Sequence, residues 1–130
     1  MDEEQRKKLS EWMVDRSVDT DIDSQARTHR KALLDELSEV DLREMAGQEG
    51  IELTDEHLGV VECLRDYYLE LGEAENGRDL EEMLNEVFAG HGGRKYLWRL
   101  FPGGPVTQGL RIAGLPLPPH SGDKGFGTVR

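Results

Sequence analysis

Five apolar residues limit what this chain can become: Leu80, Met83, Leu84, Val87 and Phe88, at i, i+3, i+4, i+7 and i+8. That spacing makes a single stripe only at 3.6 residues per turn, so residues 78–89 are expected as an amphipathic helix that must lie on a core. A second stripe, Val60, Leu64, Tyr67 and Leu71, follows Thr54, with Asp55 and Glu56 directly after it. A threonine cap followed by two acids matches the unpaired N–H groups and positive end of a helix dipole, so a helix is expected over 55–71, stopped by Gly72.

The rest of the chain reads in the same way. Residues 2–16 read as a short helix with Leu9, Trp12 and Met13 on one side, marginal alone and so packed on something: its own domain, or, as the lesser alternative, a partner. SVDTDID, residues 17–23, reads as a polar linker. Residues 25–37 read as a helix with Leu33, Leu34 and Leu37 on one face. Ser38 followed by Asp41 marks a restart that runs to about Ala46, with Gly47 and Gly50 available for left-handed backbone. Ile51 to Leu53 is extended. Beyond the GHGG connector, residues 94–100 form a helix carrying Tyr96, Leu97 and Leu100. The FPGGP turn then places Pro105 at the first position of a last helix ending at Gly114. LPLPP must be extended, and HSGDKGFGTVR has the composition of a mobile tail. The fold class expected is mainly α: a compact array of about five to six helices with a flexible C-terminal arm. Its parts are an N-terminal helix and linker at 1–23, a helical domain at 24–119 and a tail at 120–130.

Charge narrows the function classes. The 130 residues carry a net charge of −11, unevenly spread. Residues 51–90 hold 12 acids and 2 bases, whereas residues 91–130 hold 1 acid and 6 bases. An acidic whole argues against non-specific nucleic-acid binding, and a basic last third fits one anionic partner or, equally, a solvated patch that balances the acidic helices. No apolar run approaches membrane-spanning length and no signal peptide is seen, so a cytoplasmic protein is expected.

Reactive side chains are few. Cys63 is the only cysteine, set in mid-helix among apolar neighbours and beside Glu62 and Asp66; it reads as a small core residue rather than a nucleophile. His29, His57, His91 and His120 are scattered without metal-site spacing, and no cofactor motif occurs. His120, Ser121 and Asp123 are neighbours in a tail that cannot hold triad geometry. GHGG lacks the lysine of a phosphate loop. The remaining candidate is the FPGGP turn. Gly103 and Gly104 lead into a helix whose free N–H groups favour an anion, with Arg94, Lys95 and Arg99 on the helix before it and Arg111 on the helix after it. The same turn read simply as a corner between helices is an equal alternative.

Several segments carry a family likeness: GIELTDEH (50–57), LRDYY (64–68), KYL (95–97), LFPGGP (100–105), Gln108 and RIAGLP (111–116). In order and spacing they resemble the DsrC/TusE family of sulfur-relay proteins, also described as a gamma subunit of dissimilatory sulfite reductase. The resemblance implies a helical domain whose arm ends in a sulfur-carrying cysteine, often with a second cysteine on the last helix, and a small N-terminal β-hairpin where residues 1–37 here read as helical. It places Leu110 and Ser121 at those cysteine positions. A hydroxyl cannot hold a persulfide and leucine offers no partner, so carriage is not expected here. The function expected is a non-catalytic binding or regulatory member that meets sulfur-relay or sulfite-reductase-like proteins. The alternatives are a DNA-binding regulator using the helix–GHGG–helix region and a sulfur carrier using Cys63.

Overall fold

The computed structural model describes residues 2–16, 20–74 and 76–118. Seven α-helices occur among them: α1 (Glu3–Arg16), α2 (Thr20–Asp35), α3 (Glu39–Gln48), α4 (Asp55–Leu71), α5 (Gly77–Val87), α6 (Arg94–Leu100) and α7 (Pro105–Ala113). A single 3₁₀ turn, Ala89–His91, precedes α6. No strand is present among the described residues, so the hairpin implied by the family likeness is not found there. None of these helices is long and apolar enough to cross a membrane.

The caps explain where the helices start. Ser38 and Asp41 form a reciprocal box, the Ser38 N–H donating to Asp41 Oδ2 at 2.9 Å, and this separates α3 from α2. Asn76 Oδ1 accepts the Asp79 N–H at 2.9 Å and starts α5. At α1 the same logic uses Asp2 and Gln5, each side chain bonding the other's backbone N–H. Gly114 adopts φ +73°, the left-handed conformation that ends α7 without strain on a Cβ.

Helix α4 is the hub. It packs against α1, α2 and α7, while α7 also meets α3, α5 and α6. Both apolar stripes enter one core: Val60, Leu64 and Tyr67 of α4 and Leu80, Met83, Leu84, Val87 and Phe88 are buried, while Leu71 at the end of α4 is only partly so. Leu9 seals α1 onto this core, with Trp12 and Met13 packed beside it. Gly109 lets α7 lie close against α4, because a Cβ there would stand 2.8 Å from Leu64 Cδ1.

Three local readings need correction. Residues 20–23, expected in a linker, begin α2; residues 17–19 lie outside the described residues. Of the three leucines expected on one face, only Leu34 is buried; Leu33 is 44% exposed and Leu37 lies beyond the helix end. Helix α2 is held to α4 mainly by arginines: Arg30 donates to the Leu69 carbonyl at 2.8 and 3.1 Å, Arg65 reaches back to the Leu34 carbonyl, and Arg27 grips Glu70 at 2.8 and 3.0 Å. That hydrogen bond from Arg27 holds the Glu70 carboxyl below its ordinary range. Gly47 is helical, since α3 runs to Gln48, and only Gly50 takes positive φ.

Candidate functional site

Helix α6 divides cleanly between core and surface. Tyr96, Leu97 and Leu100 are buried; Arg94, Lys95, Trp98 and Arg99 are exposed. The Arg94 guanidinium lies 5.7 Å from the Trp98 ring centre, and Arg99 lies 5.8 Å from that of Tyr96, so two of the cations rest on aromatic faces. Tyr96 donates from its hydroxyl to Glu56 at 3.3 Å, and burial together with that carboxylate holds its phenol above the ordinary value.

The FPGGP turn is anchored by Phe101, which is fully buried. Its ring meets His57 edge-on, with centres 5.1 Å apart. His57 is itself buried and joins two helix ends. The Leu100 carbonyl can only accept, so His57 Nε2, 2.8 Å away, donates to it; Nδ1 is then left to accept the Thr54 N–H at 3.1 Å. One imidazole thus completes the α4 cap and ties down the end of α6. Replacing it by alanine removes an acceptor from Thr54 and orphans the Leu100 carbonyl. The expected loss for His57→Ala is about 1–3 kcal/mol, read as a lower urea midpoint with unchanged slope.

The two glycine amides of the turn are already taken up within the chain. The Gly103 N–H donates to Gln108 Oε1 at 2.8 Å, the Gly104 N–H donates to the Phe101 carbonyl at 2.9 Å, and Pro105 has no N–H. Gln108 in turn donates through Nε2 to Glu49 Oε1 at 3.4 Å. Arg111 lies 3.6 Å from the same carboxylate. The six residues expected to act together therefore fall into two groups. Arg111 sits with Glu49 at the end of α3, whereas Arg94, 4.0 Å from Glu81, faces α5. Lys95 and Arg99 share the exposed side of α6 with Arg94.

Beside Trp98 lies an open groove of about 800 Å³, bounded by Arg78 and Glu81 of α5 and by Gly103, Gly104, Pro105 and Val106 at the start of α7. Sequence reasoning missed Trp98, Arg78, Gln108 and Glu49 as members of this region. Gln108 and Glu49 are 59 positions apart and meet only through the packing of α3 on α7.

The thiol and the two positions matched to family cysteines complete the inventory. Cys63 has no exposed surface, and its Sγ lies 3.5 Å from Met83 Sδ. Burial pushes its thiol far up, with Asp66 and Glu62 adding to the shift. Leu110 is a core residue at 4% exposure. Ser121 and the rest of the tail lie outside the described residues. Among the described residues no three metal-ligating side chains come together. GHGG is a connector: Gly92 and Gly93 take positive φ, and their N–H groups bond to Ala89 and Phe88 carbonyls.

Comparison with known proteins agrees with the likeness noted in the motifs. The family described as DsrC like protein matches residues 22–121. Sulfurtransferase TusE of Escherichia coli (strain K12) is 45% identical over 75 residues, which is 57% of this chain and 69% of the relative. The sulfurtransferases TusE of Salmonella typhimurium and Salmonella typhi match with the same identity and coverage. No solved structure matches. A match over most of the chain, with these relatives, means that the chain belongs to the DsrC-like family of sulfur-relay proteins.

Proposed function

We propose that this chain is a non-catalytic docking or regulatory member of its family, one that meets sulfur-relay or sulfite-reductase-type partners without carrying sulfur. The observation behind the reading is the state of the only thiol. Sulfur transfer needs an accessible thiolate that attacks and leaves near ambient pH, and Cys63 is sealed in the core with its ionisation disfavoured. The relatives are named sulfurtransferases, and the proposed departure from that activity rests on Leu110 and Ser121, where the family likeness sets cysteines. The exposed cations of α6, Arg94, Lys95 and Arg99, supply the docking surface, with Arg111 as a separate contact beside Glu49.

The folded protein, incubated with a persulfide donor and analysed by intact mass, is expected to gain no sulfur. Ser121→Cys is expected to gain one. A stable sulfur adduct on the folded wild-type chain, abolished by Cys63→Ser, would overturn the reading in favour of carriage. For the docking half, Lys95→Glu combined with Arg99→Glu is expected to abolish capture of sulfur-relay proteins from lysate; undiminished capture would exclude this face.

A further inference from the structure

We infer that the groove between α5, α6 and α7 receives an extended acidic segment of a partner protein, with one apolar side chain seated against Trp98. The inference deepens the docking reading and rests on it only for who the partner is. Four large apolar residues are substantially exposed among the described residues: Val14, Leu33, Val40 and Trp98. They lie on four different helices, and of these Trp98 alone lines the 800 Å³ groove. Its ring is flush with the α7 entry, since a Cβ added at Gly104 would stand 3.6 Å from Trp98 Cη2. Val106, half-buried at the start of α7, continues that wall as apolar surface, with the buried Pro105 beneath it. A side chain placed there would be covered on two sides, as anchor residues at interfaces are.

Charge selects the rest of the ligand. Arg78 lines the groove and Arg94 stands on the Trp98 ring, with Lys95 and Arg99 exposed on the same helix. The groove's own acid, Glu81, is 4.0 Å from Arg94, so each partly neutralises the other. The chain as a whole carries −11. An acidic segment is therefore repelled by most of the surface and favoured at this one, which is how charge gives specificity rather than general stickiness. A nucleic-acid strand fits less well. It needs a continuous track of phosphate contacts along its backbone, and its charge is spread over a length that would reach the acidic helices.

The test is a titration of the full ¹⁵N-labelled chain with a short synthetic peptide of glutamates around one phenylalanine. The chain has two tryptophans, so its indole N–H signals separate the groove (Trp98) from the core contact of α1 (Trp12). The Trp98 indole and the Gly103 and Gly104 amides are expected to move saturably while Trp12 stays still. Arg78→Glu is expected to weaken binding about tenfold or more, and Glu81→Gln to tighten it about two- to threefold by freeing Arg94. The second variant matters because unfolding cannot improve affinity. Static Trp98 signals, or a Glu81→Gln variant that binds no tighter, would overturn the inference. So would a single-stranded oligonucleotide that moves the same signals at lower concentration than the peptide. The titration contains no sulfur species, so its failure leaves the persulfide result standing, and a sulfur adduct would leave the groove standing.

Discussion

Phe101→Ala is expected to destabilise the fold by about 3–5 kcal/mol, among the largest effects available from a single change here. The ring is fully buried and edge-on to His57, and the residue's carbonyl accepts the Gly104 N–H. Truncation leaves a cavity at the junction of α4, α6 and α7, where the surroundings are already held by hydrogen bonds and cannot collapse easily. Thermal unfolding followed by circular dichroism should show a midpoint lowered by roughly 10–20 °C. Trp98→Ala, on the exposed side of α6 and three residues away in sequence, should change stability far less while removing the groove wall. A Phe101→Ala variant as stable as the wild type would mean that the turn is not built on this ring.

The second large effect concerns Cys63. A thiol reagent should modify it in the folded protein at least about a thousandfold more slowly than in denaturant, because reaction requires an opening as costly as unfolding the core. The same burial makes stability fall in alkali. The folded thiol ionises far above the unfolded one, so the contribution is fully present below the unfolded pKa of about 8.5 and is lost as pH rises beyond it. In that window the unfolded state releases the proton that the folded state keeps. Above about pH 10, Tyr96 should deepen the loss, its phenol also being raised in the folded state. Cys63→Ala should flatten the first part of this slope, measured as urea midpoints from pH 7 to alkaline values. Rapid labelling in native buffer would show that the α4–α5 interface opens freely.

Much of this architecture could be read from local rules. Thr54 before two acids, the period of Leu80 to Phe88, and Pro105 directly after two glycines each specify a helix boundary or face by chemistry within one turn. The exception in α2 has a physical cause. Helix α2 is attached to α4 through arginine side chains on the carbonyls of Leu69 and Leu34, so its apolar pattern carries little information about its face, and Leu33, which that pattern puts inward, is exposed. In the candidate site, the exposed cations of α6 were legible from charge, but the satisfied state of the glycine amides was not. For Gly103 that depends on Gln108 folding back over the turn, with Glu49 arriving from the end of α3 to hold Gln108, and for Gly104 on the Phe101 carbonyl. Trp98 gives no signal in the sequence because it falls on the polar side of a seven-residue helix, where only the neighbouring groove gives it meaning.

The brace formed by Glu49, Gln108 and the Gly103 amide has a thermodynamic consequence for anything that binds beside it. A glycine-rich corner left loose would have to be immobilised at each encounter, and that lost freedom would be subtracted from affinity. Here the immobilisation is completed during folding, so the groove wall is preorganised. Loosening the brace with Gln108→Ala should therefore weaken a ligand through entropy, with its direct contacts unaltered.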